Sequence, residues 1–183
     1  MRNFETHSLV TAGLITALTA IGAFIRIPFV PVPVTLQSFF TLLAGNIMSP
    51  KRAALSQTVY LLIGLAGLPV FVNGGGPAYI LQPTFGYLLA LPLAAFVIAL
   101  LRQRFAASIT PLSILGINMT ATLLIHVIGV IWLFWSMNYI VGQSISIKTV
   151  LISGMVIFLP GDFLKSLIAA LIVIRLLNRR DEQ

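Results

Sequence analysis

Apolar runs separated by short polar breaks divide the chain into six candidate helices, at about residues 8–25, 34–48, 51–67, 84–101, 111–135 and 160–178. Most of these runs approach the ~20 apolar residues needed to cross a hydrocarbon core of ~30 Å. The second has only about 15 residues, or ~22 Å of helix, and is short for a span. The break before it, RIPFVPVPVTLQ (26–37), carries prolines at 28, 31 and 33. Each proline removes a backbone donor and pushes its predecessor toward extended geometry, so no helix is expected there. Because this stretch is nevertheless apolar, it is expected to dip into the membrane region. Irregular backbone is tolerated at that depth where it is buried in protein or lines a cavity. The break GLPVFVNGGGPAYILQPTFGY (67–87) has the same character. Its three consecutive glycines permit close backbone approach, and Pro83 suits the first turn of the fourth helix. No helix is predicted for residues 136–159.

Composition turns these runs into a fold class. Of 183 residues, 58% are hydrophobic and 8% charged, with a mean hydropathy of +1.05. A soluble domain carries about 25% charged residues. The expected fold is therefore an all-α integral membrane protein, one six-helix domain over 1–183 with no separate soluble domain. The first run continues into the chain without a small-residue cleavage pattern and is expected to be a retained helix.

The net charge of +7 is spread in ones and twos, which points to membrane topology and lipid contact rather than to a nucleic-acid partner. Arg2, Lys51, Arg52, Arg102, Arg104, Arg179 and Arg180 all fall on one side if both termini are cytoplasmic, leaving Arg26 and Lys148 on the other. Trp132, Trp135 and Tyr139 then lie at the outer interface, so an N-in, C-in arrangement is expected, with the irregular outer loops capping a ligand pocket. The absence of cysteine excludes disulfides, thiolate metal sites and cysteine nucleophiles. His7 and His126 are the only histidines and stand near opposite sides, so no metal site is expected.

Charges inside spanning segments are costly and mark substrate or ion routes. Helix six carries Asp162 and Lys165 three residues apart, hence on one face. Asp162 lies 17 residues before Arg179, about 25 Å along a helix, at the level of the two outer loops. Pro160 and Gly161 put it in the first turn, where the helix dipole favours a carboxylate. The pair serves a ligand or, alternatively, steadies helix six as a mutual ion pair. Asn118, Thr122 and His126 form an inward polar stripe on helix five, with His126 read foremost as a hydrogen-bonded structural group. Helix one spaces small residues by four, including Gly13 and Ala17. Such spacing serves close packing within the bundle or docking of another membrane subunit.

The stretches PVPVTLQSFFTLLAG (31–45), SPKRAALSQTVYLLIGLAGLPVF (49–71), GGG followed by QPTFGYLL (82–89), and FLPGDFLKSLIAAL (158–171) resemble the BioY family. Its members are biotin-specific substrate-binding subunits of energy-coupling factor (ECF) transporters. The resemblance covers nearly the whole chain. It implies a six-helix bundle in the cell membrane that captures biotin from outside, without cofactors or enzymatic activity of its own. It also implies coupling to a transmembrane scaffold subunit and two ATPase subunits, with Gly13 and Ala17 at the family's scaffold-facing positions. Two departures stand out: Phe85 and Ala90 occupy positions where glycine is expected, and Phe85 bears on the packing around the pocket.

Biotin's ureido ring offers two N–H donors and a polar carbonyl. Asp162 is the expected acceptor for those N–H groups and Lys165 the donor to a ligand oxygen. Asn73, Gln37, Gln82 and Tyr87 are further polar candidates, and Arg26 serves the ligand carboxylate or anchors a loop. The chain has no G-x-x-x-x-G-K-[ST] motif, so ATP-driven uptake requires separate ATPase chains. The competing function is a self-sufficient proton- or ion-coupled carrier with Asp162, Lys165 and His126 as a relay. A single internal carboxylate favours the binding subunit over that carrier. A membrane enzyme is disfavoured because no acid–base pair or metal set is present.

Overall fold

The computed structural model describes residues 2–106 and 109–181; the side chains of Arg2, His7 and Arg180 lie outside the described residues. Seven α-helices follow in order among them: α1 (Arg2–Phe24), α2 (Gln37–Ile47), α3 (Pro50–Leu65), α4 (Phe85–Arg104), α5 (Pro111–Trp135), α6 (Ile147–Gly154) and α7 (Leu159–Asp181). The six expected helices are α1–α5 and α7. The additional one, α6, has eight residues. Ser146 caps it by accepting from the Thr149 amide at 3.2 Å, and it ends at Gly154. Its apolar stretch is too short to have stood out as a span. A π-helical turn, Ser136–Ile140, prolongs α5.

The expectation of irregular backbone over 26–37 needs correcting. Two short strands, β1 (Arg26–Ile27) and β2 (Val34–Thr35), pair antiparallel, with Arg26 opposite Thr35 and Ile27 opposite Val34. Prolines at 28, 31 and 33 exclude helix but leave the flanking residues free to pair. Helix two accordingly begins at Gln37 rather than 34 and has 11 residues, about 17 Å of rise. The third helix stops at Leu65, short of the expected 67; Gly67, just beyond it, takes φ +112°, a left-handed conformation that suits glycine.

Three helical segments are long and apolar enough to cross a membrane, Phe85–Arg104, Pro111–Ile140 and Ile147–Arg179, and Leu9–Phe24 is a shorter apolar helix. The chain is a multi-pass, essentially all-helical membrane protein in which α2 and α3 are short.

Helix α4 packs against α5, α3 and α2. Small side chains allow this: Ala90, Ala94, Ala95 and Ala99 are all buried on α4, and Gly45 of α2 meets Ala95 and Ile98. Apolar side chains gain little from leaving lipid, so close packing and interhelical hydrogen bonds hold such a bundle together. One polar ladder joins α1, α2 and α3. Thr16 Oγ1 donates to the Ser56 carbonyl at 2.8 Å, Gln57 Nε2 donates to Thr19 at 3.2 Å, and Thr41 donates to Gln57 Oε1 at 3.0 Å. With Thr16 and Thr19 turned inward, Gly13 and Ala17 are left on the exposed face of α1. Asn46 of α2 similarly donates to Asn118 of α5 at 2.7 Å, and Asn118 donates to the Ser166 carbonyl of α7 at 3.2 Å.

Where α7 begins, the connection between α3 and α4 folds back into the bundle. Phe71 is completely buried, with its ring against Gly64 and set 5.4 Å from Tyr60 and 4.6 Å from Tyr79. A five-residue 3₁₀ segment, Pro77–Leu81, then leads into α4.

Candidate functional site

Four helices and both folded connections enclose a cavity of about 630 Å³, counting its open mouth. Tyr87, Leu88 and Leu91 come from α4, Thr122, Ile125 and His126 from α5. Gln37 and Ser38 begin α2, Val32, Pro33 and Thr35 come from the proline-bearing connection, and Val72 and Tyr79 from the glycine-bearing one. Thr84, Phe158, Asp162 and Lys165 complete the wall. Apolar and aromatic surface dominates, and Asp162, Lys165 and His126 meet at one place.

That place is the first turn of α7. Pro160 and Gly161 lie at the head of the helix, and Asp162 is only 4% exposed. Its Oδ1 accepts from Lys165 Nζ at 2.8 Å, the i, i+3 contact expected on one helix face. Its Oδ2 meets His126 Nε2 at 2.6 Å. Lys165 Nζ also donates to Ser38 Oγ at 3.1 Å, tying α7 to α2. An ammonium has three donors and a carboxylate about four acceptor sites, so each retains capacity after these contacts.

His126 is fixed on all sides. Nδ1 stands 3.2 Å from the Gly154 carbonyl, and Tyr87 Oη donates to the same carbonyl at 2.7 Å. The rings of Tyr87 and Phe158 flank the imidazole at 6.1 Å and 5.7 Å. A Cβ on residue 154 would stand 2.6 Å from the Tyr87 hydroxyl and 2.8 Å from Leu133, so a side chain there would displace the ends of both where α6 meets α4 and α5.

Among the residues expected at the site, Asp162, Lys165, Gln37 and Tyr87 line the cavity. Gln37 Nε2 donates to Tyr60 Oη at 2.6 Å, and that hydroxyl donates to the Val70 carbonyl at 3.0 Å. Arg26, Asn73 and Gln82 lie outside the lining and are exposed. Arg26 Nη1 donates to the Val72 carbonyl at 2.6 Å and to Asn73 Oδ1 at 3.4 Å, latching the two connections together. The Gln82 carbonyl accepts from Trp132 Nε1 at 3.1 Å. Phe85 is buried against Trp132, ring centroids 5.5 Å apart, and is absent from the cavity wall.

His126 makes the structural hydrogen bonds expected of it and also joins the site, which spacing along one helix did not reveal. Ser38 was missed as well. Adjacency to Gln37 was its only signal, and neighbours in a helix point in different directions.

Residues 1–182 match the BioY family. A curated relative from Lysinibacillus sphaericus, named probable biotin transporter BioY, is 40% identical over 96% of this chain and 89% of its own length. The biotin transporter BioY of Thermotoga maritima is 38% identical over 93% of this chain and 95% of its own. Among solved structures, the S-component for biotin from an ECF-type ABC transporter superposes with a TM-score of 0.86 at 31% identity, covering 97% of this chain and 94% of that one. The S component of a bacterial ECF transporter gives a TM-score of 0.57 at 16% identity, covering 97% of each chain, a likeness of fold alone.

Proposed function

This chain belongs to the BioY family, and from that premise we propose that it captures biotin as the substrate-binding subunit of an ECF-type uptake transporter. Residues 1–183 act as one domain in the cell membrane, with both termini cytoplasmic and the cavity open to the outside. The observation that carries the reading is a largely apolar cavity in which Asp162 and Lys165 are paired in the wall. Biotin has the matching division, an apolar ring and chain bearing a strongly polar ureido group.

In this reading the unused acceptor capacity of Asp162 receives the ureido N–H groups, and the remaining Lys165 donor serves a ligand oxygen. Gln37 and Tyr87 stand in the wall as further polar contacts. Arg26 and Asn73 act from outside the wall, holding the two connections together over the ligand. Gln82 supports the wall through its carbonyl contact with Trp132. ATP hydrolysis is supplied by two separate ATPase subunits through a transmembrane scaffold subunit. That scaffold docks on the exposed face of α1 carrying Gly13 and Ala17, where a Cβ on Gly13 would meet nothing within 4 Å.

Biotin titration of the purified protein tests the proposal. Wild type should bind tightly, and Asp162→Asn and Lys165→Ala should each weaken binding at least about tenfold, the scale of a lost hydrogen bond to a charged group. Unchanged affinity in both variants would remove these two residues from the site. No binding by wild type would overturn the ligand assignment.

A further inference from the structure

A threonine inside a helix can turn its hydroxyl back to the carbonyl four residues earlier. Thr16, Thr19, Thr41, Thr58 and Thr120 all do so, at 2.8–3.0 Å. Thr122 of α5 departs from this habit. It is 2% exposed, yet its Oγ1 has no hydrogen-bond partner among the described residues. A buried hydroxyl left unpaired is costly, so this one stands to gain from a partner outside the chain.

Its place in the fold says where such a partner comes from. Thr122 lines the cavity together with His126, Asp162 and Lys165. Helices α5 and α7 run antiparallel there: His126 meets Asp162, while Asn118, two turns earlier on α5, meets Ser166 farther along α7. Thr122 therefore stands one turn, about 6 Å, inward of His126, on the side toward Lys165. Ser166 supplies a contrast. Its Oγ is also buried and unpartnered, but it does not line the cavity.

We propose that Thr122 is a specificity-determining residue whose hydroxyl donates to the carbonyl oxygen of the ligand's ureido group. This deepens the function proposed above and rests on it. Asp162, one turn outward across the helix pair, takes the N–H groups that flank that oxygen, which brings the polar end of the ligand beside α5. A carbonyl oxygen accepts twice, so the contact adds to the Lys165 donor without displacing it. Thr122 then discriminates by acceptor strength. A ligand with a weak acceptor in place of that oxygen leaves the hydroxyl unpaired, and a site built to bond an oxygen rejects such a ligand.

The test titrates biotin and its thiocarbonyl analogue, with sulfur in place of the ureido oxygen, into the full chain in detergent. Thr122→Val keeps the branched shape and removes the hydroxyl, whereas Thr122→Ser keeps the hydroxyl. Thr122→Val should bind biotin about three- to tenfold more weakly. It should bind the sulfur analogue nearly as wild type does, and melt no lower than wild type without ligand. Thr122→Ser and Ser166→Ala should both keep wild-type affinity for biotin. Wild-type biotin affinity in Thr122→Val overturns the proposal, as does an equal loss for the two ligands or a matching loss in Ser166→Ala. So does a lowered melting temperature of ligand-free Thr122→Val that Thr122→Ser restores, because the hydroxyl would then have its partner within the protein. Wild type that binds neither ligand overturns the biotin reading itself, and this contact with it.

Discussion

Replacing Gly64 by alanine probes how the glycine-bearing connection is held over the cavity. Three ring carbons of Phe71 stand closer to the site of a Gly64 Cβ than real Cβ contacts allow. The ring has little room to retreat, because Phe71 is fully buried with Tyr60 and Tyr79 on its flanks. Overpacking of this kind costs about 1–3 kcal/mol, which on the scale of a chain this long lowers Tm by roughly 2–12 °C. Strain at Phe71 is passed to its neighbour Val72 and to Tyr79, both in the cavity wall, so biotin affinity should fall with stability. The decisive assay is a cycle of Gly64→Ala, Phe71→Leu and the double variant, followed by thermal unfolding in detergent and by biotin titration. A smaller side chain at 71 leaves space for the methyl group, so the double variant should recover about 1–2 kcal/mol relative to the sum of the single changes. Gly64→Ala as stable as wild type, or strictly additive losses, would refute the packing argument.

Two further outcomes follow from contacts outside the cavity. Arg26→Ala removes the latch to Val72 and Asn73. Because the site is exposed, stability should change by less than about 1 kcal/mol, while biotin dissociation speeds up several-fold; an unchanged off-rate would reduce Arg26 to a surface residue. Ala17→Trp fills the exposed face of α1. It should weaken copurification with a scaffold subunit and leave biotin affinity intact, whereas undisturbed copurification would move the docking face elsewhere.

Much of this architecture was legible because a bilayer imposes simple constraints. Long apolar runs, the prolines at 28, 31 and 33, and the pair Asp162/Lys165 each limit what the backbone can do locally. What escaped was set by tertiary partners. The pairing of Arg26–Ile27 with Val34–Thr35 depends on a turn between them rather than on either segment alone. Helix α6 falls below the length at which an apolar run signals a span. Asp162 could be assigned to a helix face by counting, but its contact with His126 joins residues 36 apart, across two helices whose rotation the pattern leaves free. Arg26, Asn73 and Gln82 were grouped with the site because their connections reach it, although their side chains lie outside the lining.

The joint at Gly154 has an evolutionary consequence. Tyr87 and His126, from two helices, converge on a carbonyl oxygen of the main chain. Every residue type carries that oxygen, so no codon change can delete the acceptor. Drift at this joint is confined to its two donors and to the glycine whose missing side chain admits them. Losing one donor leaves the other still moored, and the junction can lose its partners one at a time.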